Sequence, residues 1–143
     1  MLGLVGAAAL AISVQAGVWW SVGEVTIGPF GAHHCFNQDC RTTGLGWIGG
    51  SDLWMRSAVA TGVAGALASV LLIAVAAAAA ARRRPRVLAR MALSALIGAT
   101  ACGAYFVVRF PGVEGAGLDR GLYLFVAGIA IGLAAAISVL RAK

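Results

Sequence analysis

Four long apolar segments, each without charge in its middle, constrain this chain more than any other feature of its sequence. They cover residues 2–20, 57–81, 87–108 and 121–140. An α-helix needs roughly 20 apolar residues to cross a hydrocarbon core about 30 Å thick. Only 11% of the residues are charged, whereas soluble domains carry roughly a quarter. The sequence therefore predicts one all-α membrane domain over residues 1–143, built as a bundle of four transmembrane helices.

The acids and the densest run of arginines lie in different connecting loops. All five acids lie in residues 21–55 or 109–120, whereas five arginines surround the turn at residues 82–86. Cytoplasmic loops carry the excess of basic residues, so we expect the arginine turn and both termini to be cytoplasmic. The turn residues predicted to set this orientation and to meet lipid headgroups are Arg82, Arg83, Arg84 and Arg86.

The net charge of +6 does not indicate nucleic-acid binding, because the basic run is a short turn flush with the membrane. Anionic lipid headgroups are the more fitting partner for such a run. The composition, rich in Ala, Gly and Arg, is typical of a high-GC bacterium, so the expected location is a plasma or bacterial inner membrane.

The first outer loop, residues 21–55, holds most of the chain's distinctive residues. Val25 and Ile27 alternate with polar or small residues and predict a short strand. A second extended piece is expected to run through Cys35, turn at residues 37–39 and return through Cys40. The two cysteines could form a disulfide if their Cα atoms approach within about 7 Å. Ser51 or Asp52 is expected to cap a helix that continues into the second segment.

Reactive chemistry has little support in this pattern. The segment centres contain no ionisable residue of the kind that marks a proton or ion pathway. His33 and His34 are neighbours, whereas zinc sites use separated ligand pairs, so we predict no metal, no cofactor and no catalytic residue. Two alternatives stay open: a thiol–quinone redox enzyme that uses Cys35 and Cys40, and, with weaker support, a small-solute channel along the bundle axis.

Several of these features together resemble the claudin and peripheral-myelin-protein superfamily of four-span proteins. The matching positions are Trp20, the sequence Gly28-Pro29-Phe30, the pair Cys35 and Cys40, and Arg56. The resemblance implies a four-helix bundle topped by a small antiparallel sheet with a disulfide. It also implies a role in adhesion, barrier formation or service as an auxiliary subunit.

We therefore predict a non-catalytic membrane protein that acts by contact, as an accessory subunit of a larger membrane complex or as a claudin-like assembly protein. The expected partners are membrane lipid and other membrane subunits or further copies of the chain. The interface candidates in the outer loop are Phe30, His33, His34, Phe36, Trp47 and Trp54. The GxxxG pair Gly128 and Gly132 is expected to serve helix packing inside the bundle.

Overall fold

A computed structural model describes residues 1–36, 39–81, 83 and 85–142, with Phe36 described by its backbone alone. The chain is mostly helical, as predicted, and contains four helices within these ranges. They are α1 (Leu2–Gln15), α2 (Asp52–Ala80), α3 (Arg86–Val108) and α4 (Arg120–Arg141). By length and composition, α2, α3 and α4 can each cross a membrane, and α1 is a shorter apolar helix.

The first helix ends earlier than the apolar segment predicts. It stops at Gln15, and Trp20 already belongs to a strand. The reason is long-range hydrogen bonding: the backbone N–H of Trp19 donates to the carbonyl of Ile27 at 2.8 Å, and that of Gly121 donates to Val18 at 2.9 Å. These bonds give the polar backbone groups partners outside the helix.

A small antiparallel sheet lies at one end of the bundle, which we call the sheet end. Its strands are β1 (Trp20–Val22), β2 (Val25–Gly28), β3 (Gly31–Phe36), β4 (Asp39–Thr43) and β5 (Gly117–Leu118). Their order across the sheet is β4-β3-β2-β1-β5. The predicted strand and hairpin are confirmed as β2 and as β3 with β4. Asn37 and Gln38 of the predicted turn lie outside the described residues.

The sequence pattern does not predict β1 or β5. A two-residue turn joins β1 to β2, and Gly23 there has a φ of +55°, a conformation that favours glycine. The two residues of β5 come from the second loop and pair with Trp20 and Ser21 of β1. Both loops therefore contribute to one sheet.

The connection from the sheet to α2 contains the predicted helix cap. A 3₁₀ helix (Leu45–Ile48) precedes it. The hydroxyl of Ser51 then accepts a hydrogen bond from the backbone N–H of Trp54 at 3.2 Å, which satisfies one of the N–H groups left free at a helix start. Of the two residues that the sequence offered as caps, the structure selects Ser51.

Small residues set how closely the helices approach. A Cβ added at Gly128 would lie 2.8 Å from Cγ of Leu10, and one at Gly6 would lie 3.0 Å from the backbone N of Gly132. Both residues of the GxxxG pair are buried. Gly128 faces α1, whereas a Cβ at Gly132 would point at Leu72 of α2 and Leu96 of α3. The pair therefore permits close packing of α4 inside the bundle of a single chain.

We predict that Gly128→Val destabilises the bundle, because its added methyl groups meet Leu10 in a contact with no spare room. Overpacking of this kind costs about 1–3 kcal/mol, measurable as a lower unfolding midpoint in detergent micelles. Gly98→Val is the matched control, since no atom lies within 4 Å of a Cβ at Gly98. Equal loss in both variants would contradict this account of the interface.

Candidate interaction surface

An aromatic cluster fixes the sheet to the helices at the sheet end. Trp19 packs on Phe125 of α4 with ring centroids 4.8 Å apart. Trp20 stacks on Phe110 at 4.4 Å, and Trp54 of α2 stacks on Phe106 of α3 at 5.0 Å. The sheet is thus held by side chains that belong to every long helix.

The buried indole N–H groups in this cluster have partners. Nε1 of Trp54 donates to the carbonyl of Phe106 at 2.8 Å, and Nε1 of Trp19 donates to that of Ser13 at 3.2 Å. Trp54 is completely buried, so its prediction as an interface residue is wrong. Its ring is needed in the core because it bridges α2 and α3.

The disulfide predicted between Cys35 and Cys40 is present. The two residues lie directly opposite each other in the β3–β4 ladder, with Cα atoms 4.1 Å apart. Both are exposed. The bridge therefore fixes the register of a hairpin that has little buried side-chain surface of its own.

Each of the two histidines has a threonine partner on β4. A ring nitrogen of His33 (Nδ1) lies 3.0 Å from Oγ1 of Thr42, and Nε2 of His34 lies 3.0 Å from Oγ1 of Thr43. The sequence pattern alone did not single out these two threonines as partners of the histidines. Their location in β4, the strand predicted to pair with the histidine strand, could have indicated the contact.

Trp47 of the 3₁₀ helix lies beside His34, with ring centroids 5.1 Å apart. Together with Thr43, Gly44 and Gly46 these residues line a shallow concavity of about 630 Å³. We call this set the His34–Trp47 surface. Trp47 is 48% exposed, whereas the other three tryptophans are at most 3% exposed.

The remaining loop candidate, Phe30, has a different environment. It follows β2 in the tight connection to β3, and its ring lies over Gly62 of α2 so closely that a Cβ there would clash with it. The other part of the ring is exposed. Phe30 therefore anchors the sheet to α2 as well as facing outward. The side chain of Phe36 lies outside the described residues.

The arginine turn lies at the opposite end of the bundle, which we call the arginine end. The guanidinium of Arg86 donates from Nη2 to the carbonyl of Ala142 at 3.0 Å, linking the start of α3 to the end of α4. Arg83 is exposed, and its backbone N–H donates to the carbonyl of Ala78 at 3.0 Å. Arg82 and Arg84 lie outside the described residues.

Polar groups inside the described part of the chain are satisfied. The hydroxyls of Ser13, Ser57, Thr61 and Ser69 each donate to a backbone carbonyl at 2.7–2.9 Å. Within the described residues, no group of three His, Cys, Asp or Glu side chains is placed to hold a metal ion.

Asp119, the N-cap of α4, is the carboxylate with the most defined environment. Its Oδ1 accepts a hydrogen bond from the backbone N–H of Arg120 at 2.6 Å. This bond is the main cause of a lowered pKa for Asp119, and the hydroxyl of Ser21 and the charge of Arg120 add to it. The negatively charged form of Asp119 is therefore favoured at the junction between β5 and α4.

No protein-family model, curated protein or solved structure matches the chain.

We predict that Asp119 makes the stability of the sheet end sensitive to acid. Because its folded pKa lies below the unfolded value, its contribution is complete above about pH 4 and is lost as pH falls through the folded pKa. Asp119→Asn should flatten the dependence of the unfolding midpoint on pH as the pH falls below about 4. Glu114→Gln, in the same loop, is the control. An unchanged profile in Asp119→Asn would contradict the prediction.

Proposed function

We propose that the chain is a four-span integral membrane protein that acts by contact, as an accessory or assembly subunit of a larger membrane complex. Three helices long and apolar enough to cross a membrane support this. So does the distribution of charge, with the arginine run at an end without acids and all five acids in the loops of the other end. On this proposal α1 is the fourth span, the sheet lies outside, and both termini are cytoplasmic.

A claudin-like identity is part of the same proposal. The resemblance implies a helical bundle topped by a small antiparallel sheet, and the chain folds in that way. Trp20 begins β1, Gly28-Pro29-Phe30 forms the β2–β3 connection, and the disulfide joins β3 to β4. These placements support a shared architecture and leave adhesion between copies as an alternative form of the contact function.

The exposure of Trp47 is the observation that carries the proposal. The chain buries its other three tryptophans and leaves this one half exposed on a disulfide-bonded sheet. Tryptophan is enriched among the residues that dominate binding energy in protein interfaces. Here the indole already packs against the ring of His34, with centroids 5.1 Å apart, and a contact of this kind reduces the side-chain entropy lost on binding.

The chemistry of the His34–Trp47 surface indicates the kind of partner. It combines an aromatic face, an imidazole and a hydroxyl around a shallow concavity that no Asp, Glu, Lys or Arg of the described chain lines. Such a surface suits an apolar or aromatic side chain surrounded by hydrogen-bonding groups, as in the centre of a protein interface. A loop of another membrane subunit has these properties.

Site-specific crosslinking tests the proposal. With Trp47→benzoylphenylalanine, irradiation of native membranes should give a covalent adduct with a discrete partner. The control is Glu24→benzoylphenylalanine, exposed at the β1–β2 turn of the same sheet. An adduct of two copies would assign self-assembly, and an adduct of other mass would assign an accessory role. No discrete adduct at position 47 would contradict the contact function.

Truncation of the side chain gives a second measure. Because a hot-spot residue contributes about 2 kcal/mol or more, Trp47→Ala should weaken retention of the partner roughly 30-fold. Leu118→Ala, an exposed apolar residue of β5, is the matched control and should retain it. Equal loss from both variants would place the partner elsewhere.

The exposure of Cys35 and Cys40 favours one second candidate, a thiol–quinone redox enzyme. The contact proposal predicts instead that the bridge is structural and has a potential below about −300 mV. Alkylation of free thiols after equilibration with thiol buffers of graded potential separates the two. A pair that is reduced at milder potentials and forms a mixed disulfide would support the enzyme.

A further inference from the structure

An open groove lies at the arginine end, and no other part of the described chain covers it. It holds about 360 Å³ and is formed by α1, α2 and α4, where α2 and α4 face each other past the first residues of α1. Ala76 and Ala79 line one wall, Ala135 and Val139 line the other, and Gly3 lies between them. The volume is within the range of small-molecule sites.

The lining of this groove suits a hydrocarbon and does not suit water. Of the described residues that line it, Ser138 alone carries a polar side chain, and its hydroxyl donates to the carbonyl of Ala134 at 2.7 Å. A buried water typically needs two to four polar partners. In a membrane, an acyl chain supplies the apolar contacts that the alanine walls offer.

Both walls are followed by an arginine about one helical turn further along. Ala80 of α2 precedes Arg83 by three positions, and Ser138 of α4 precedes Arg141 by the same interval. Residues at this spacing on a helix share a face, so Arg141 lies above the α4 wall. Arg83 stays near the end of α2 because its backbone N–H is bonded to Ala78.

The charge around the mouth of the groove is uncompensated. All five acids of the sequence lie in the loops of the sheet end. The guanidinium of Arg86 already donates a hydrogen bond to the carbonyl of Ala142, which follows α4. The side chains of Arg83 and Arg141 are exposed. Guanidinium groups bind phosphate oxygens in pairs of hydrogen bonds, so this mouth attracts a phosphate.

We propose that the groove binds one anionic phospholipid from the leaflet at the arginine end. Its acyl chain lies against α1, α2 and α4, and its phosphate lies between Arg83 and Arg141. This inference rests on the proposed insertion of the helices in a membrane. The site is separate from the His34–Trp47 surface at the other end of the bundle, so loss of lipid retention and loss of partner crosslinking are distinguishable.

Native mass spectrometry of the full chain from detergent micelles tests the headgroup. Phosphatidylglycerol should be retained more strongly than phosphatidylcholine with the same acyl chains. Because one basic residue near an anionic headgroup contributes about fivefold in affinity, Arg83→Gln and Arg141→Gln should each weaken retention by about that factor. Arg109→Gln, an exposed arginine beyond the other end of α3, is the control.

Filling the groove tests the acyl chain without changing charge. Ala79→Leu with Ser138→Leu places new side chains in both walls at exposed positions, so folding should be preserved and phosphatidylglycerol retention lost. Ala101→Leu on the exposed face of α3 is the matched control. Equal retention of the two lipids, or equal losses in variants and controls, would overturn the proposal. Lipid retention that survives filling would also overturn it.

Discussion

The junction between α1 and β1 is the part of the molecule on which the remaining structure depends. Four residues connect the end of α1 to the start of β1, and their backbone polar groups form hydrogen bonds with residues distant in the sequence. The backbone carbonyl of Trp19 accepts from Asp119 at 2.9 Å, while the hydroxyl of Ser13 donates to Gly121 at 2.7 Å. The start of α4 is thereby fixed to the end of α1. The indole of Trp19 is completely buried beside these bonds. The hydrogen bonds and the apolar packing therefore favour the same arrangement of α1, β1 and α4.

The sequence predicted the parts of the fold that depend on local pattern. Long apolar runs identify the helices, and alternation with a cysteine pair identifies the β3–β4 hairpin. The end of α1 was misplaced because Trp19 and Trp20 have the composition of a membrane-interface belt, whereas bonds of Trp19 to Ile27 and Asp119 and the pairing of Trp20 in the sheet determine their structure. Strand β5 has two residues, too few for any alternating pattern, and exists because β1 offers it an edge.

The candidate surface likewise combines features that follow from local sequence pattern with features that only long-range packing determines. The sequence directed attention to the first loop, but it could not separate the exposed Trp47 from the buried Trp54. Trp54 is buried because a carbonyl 52 positions away accepts its N–H, a relation that only the packing of α2 on α3 creates. The threonine partners of the histidines depend on strand register, which the cysteine bridge sets. Likewise, α4 lies close to α1 because Gly6 and Gly128 permit a close approach of the two helices.

The pairing of β5 with β1 has a mechanical consequence. Four residues connect α1 to β1, and one residue separates β5 from α4, so the sheet is attached to two helices by short covalent links as well as by the cluster beneath it. The outer strand β4 is connected to β1 and β5 through successive ladders of hydrogen bonds. The position of the sheet is therefore coupled to the positions of α1 and α4.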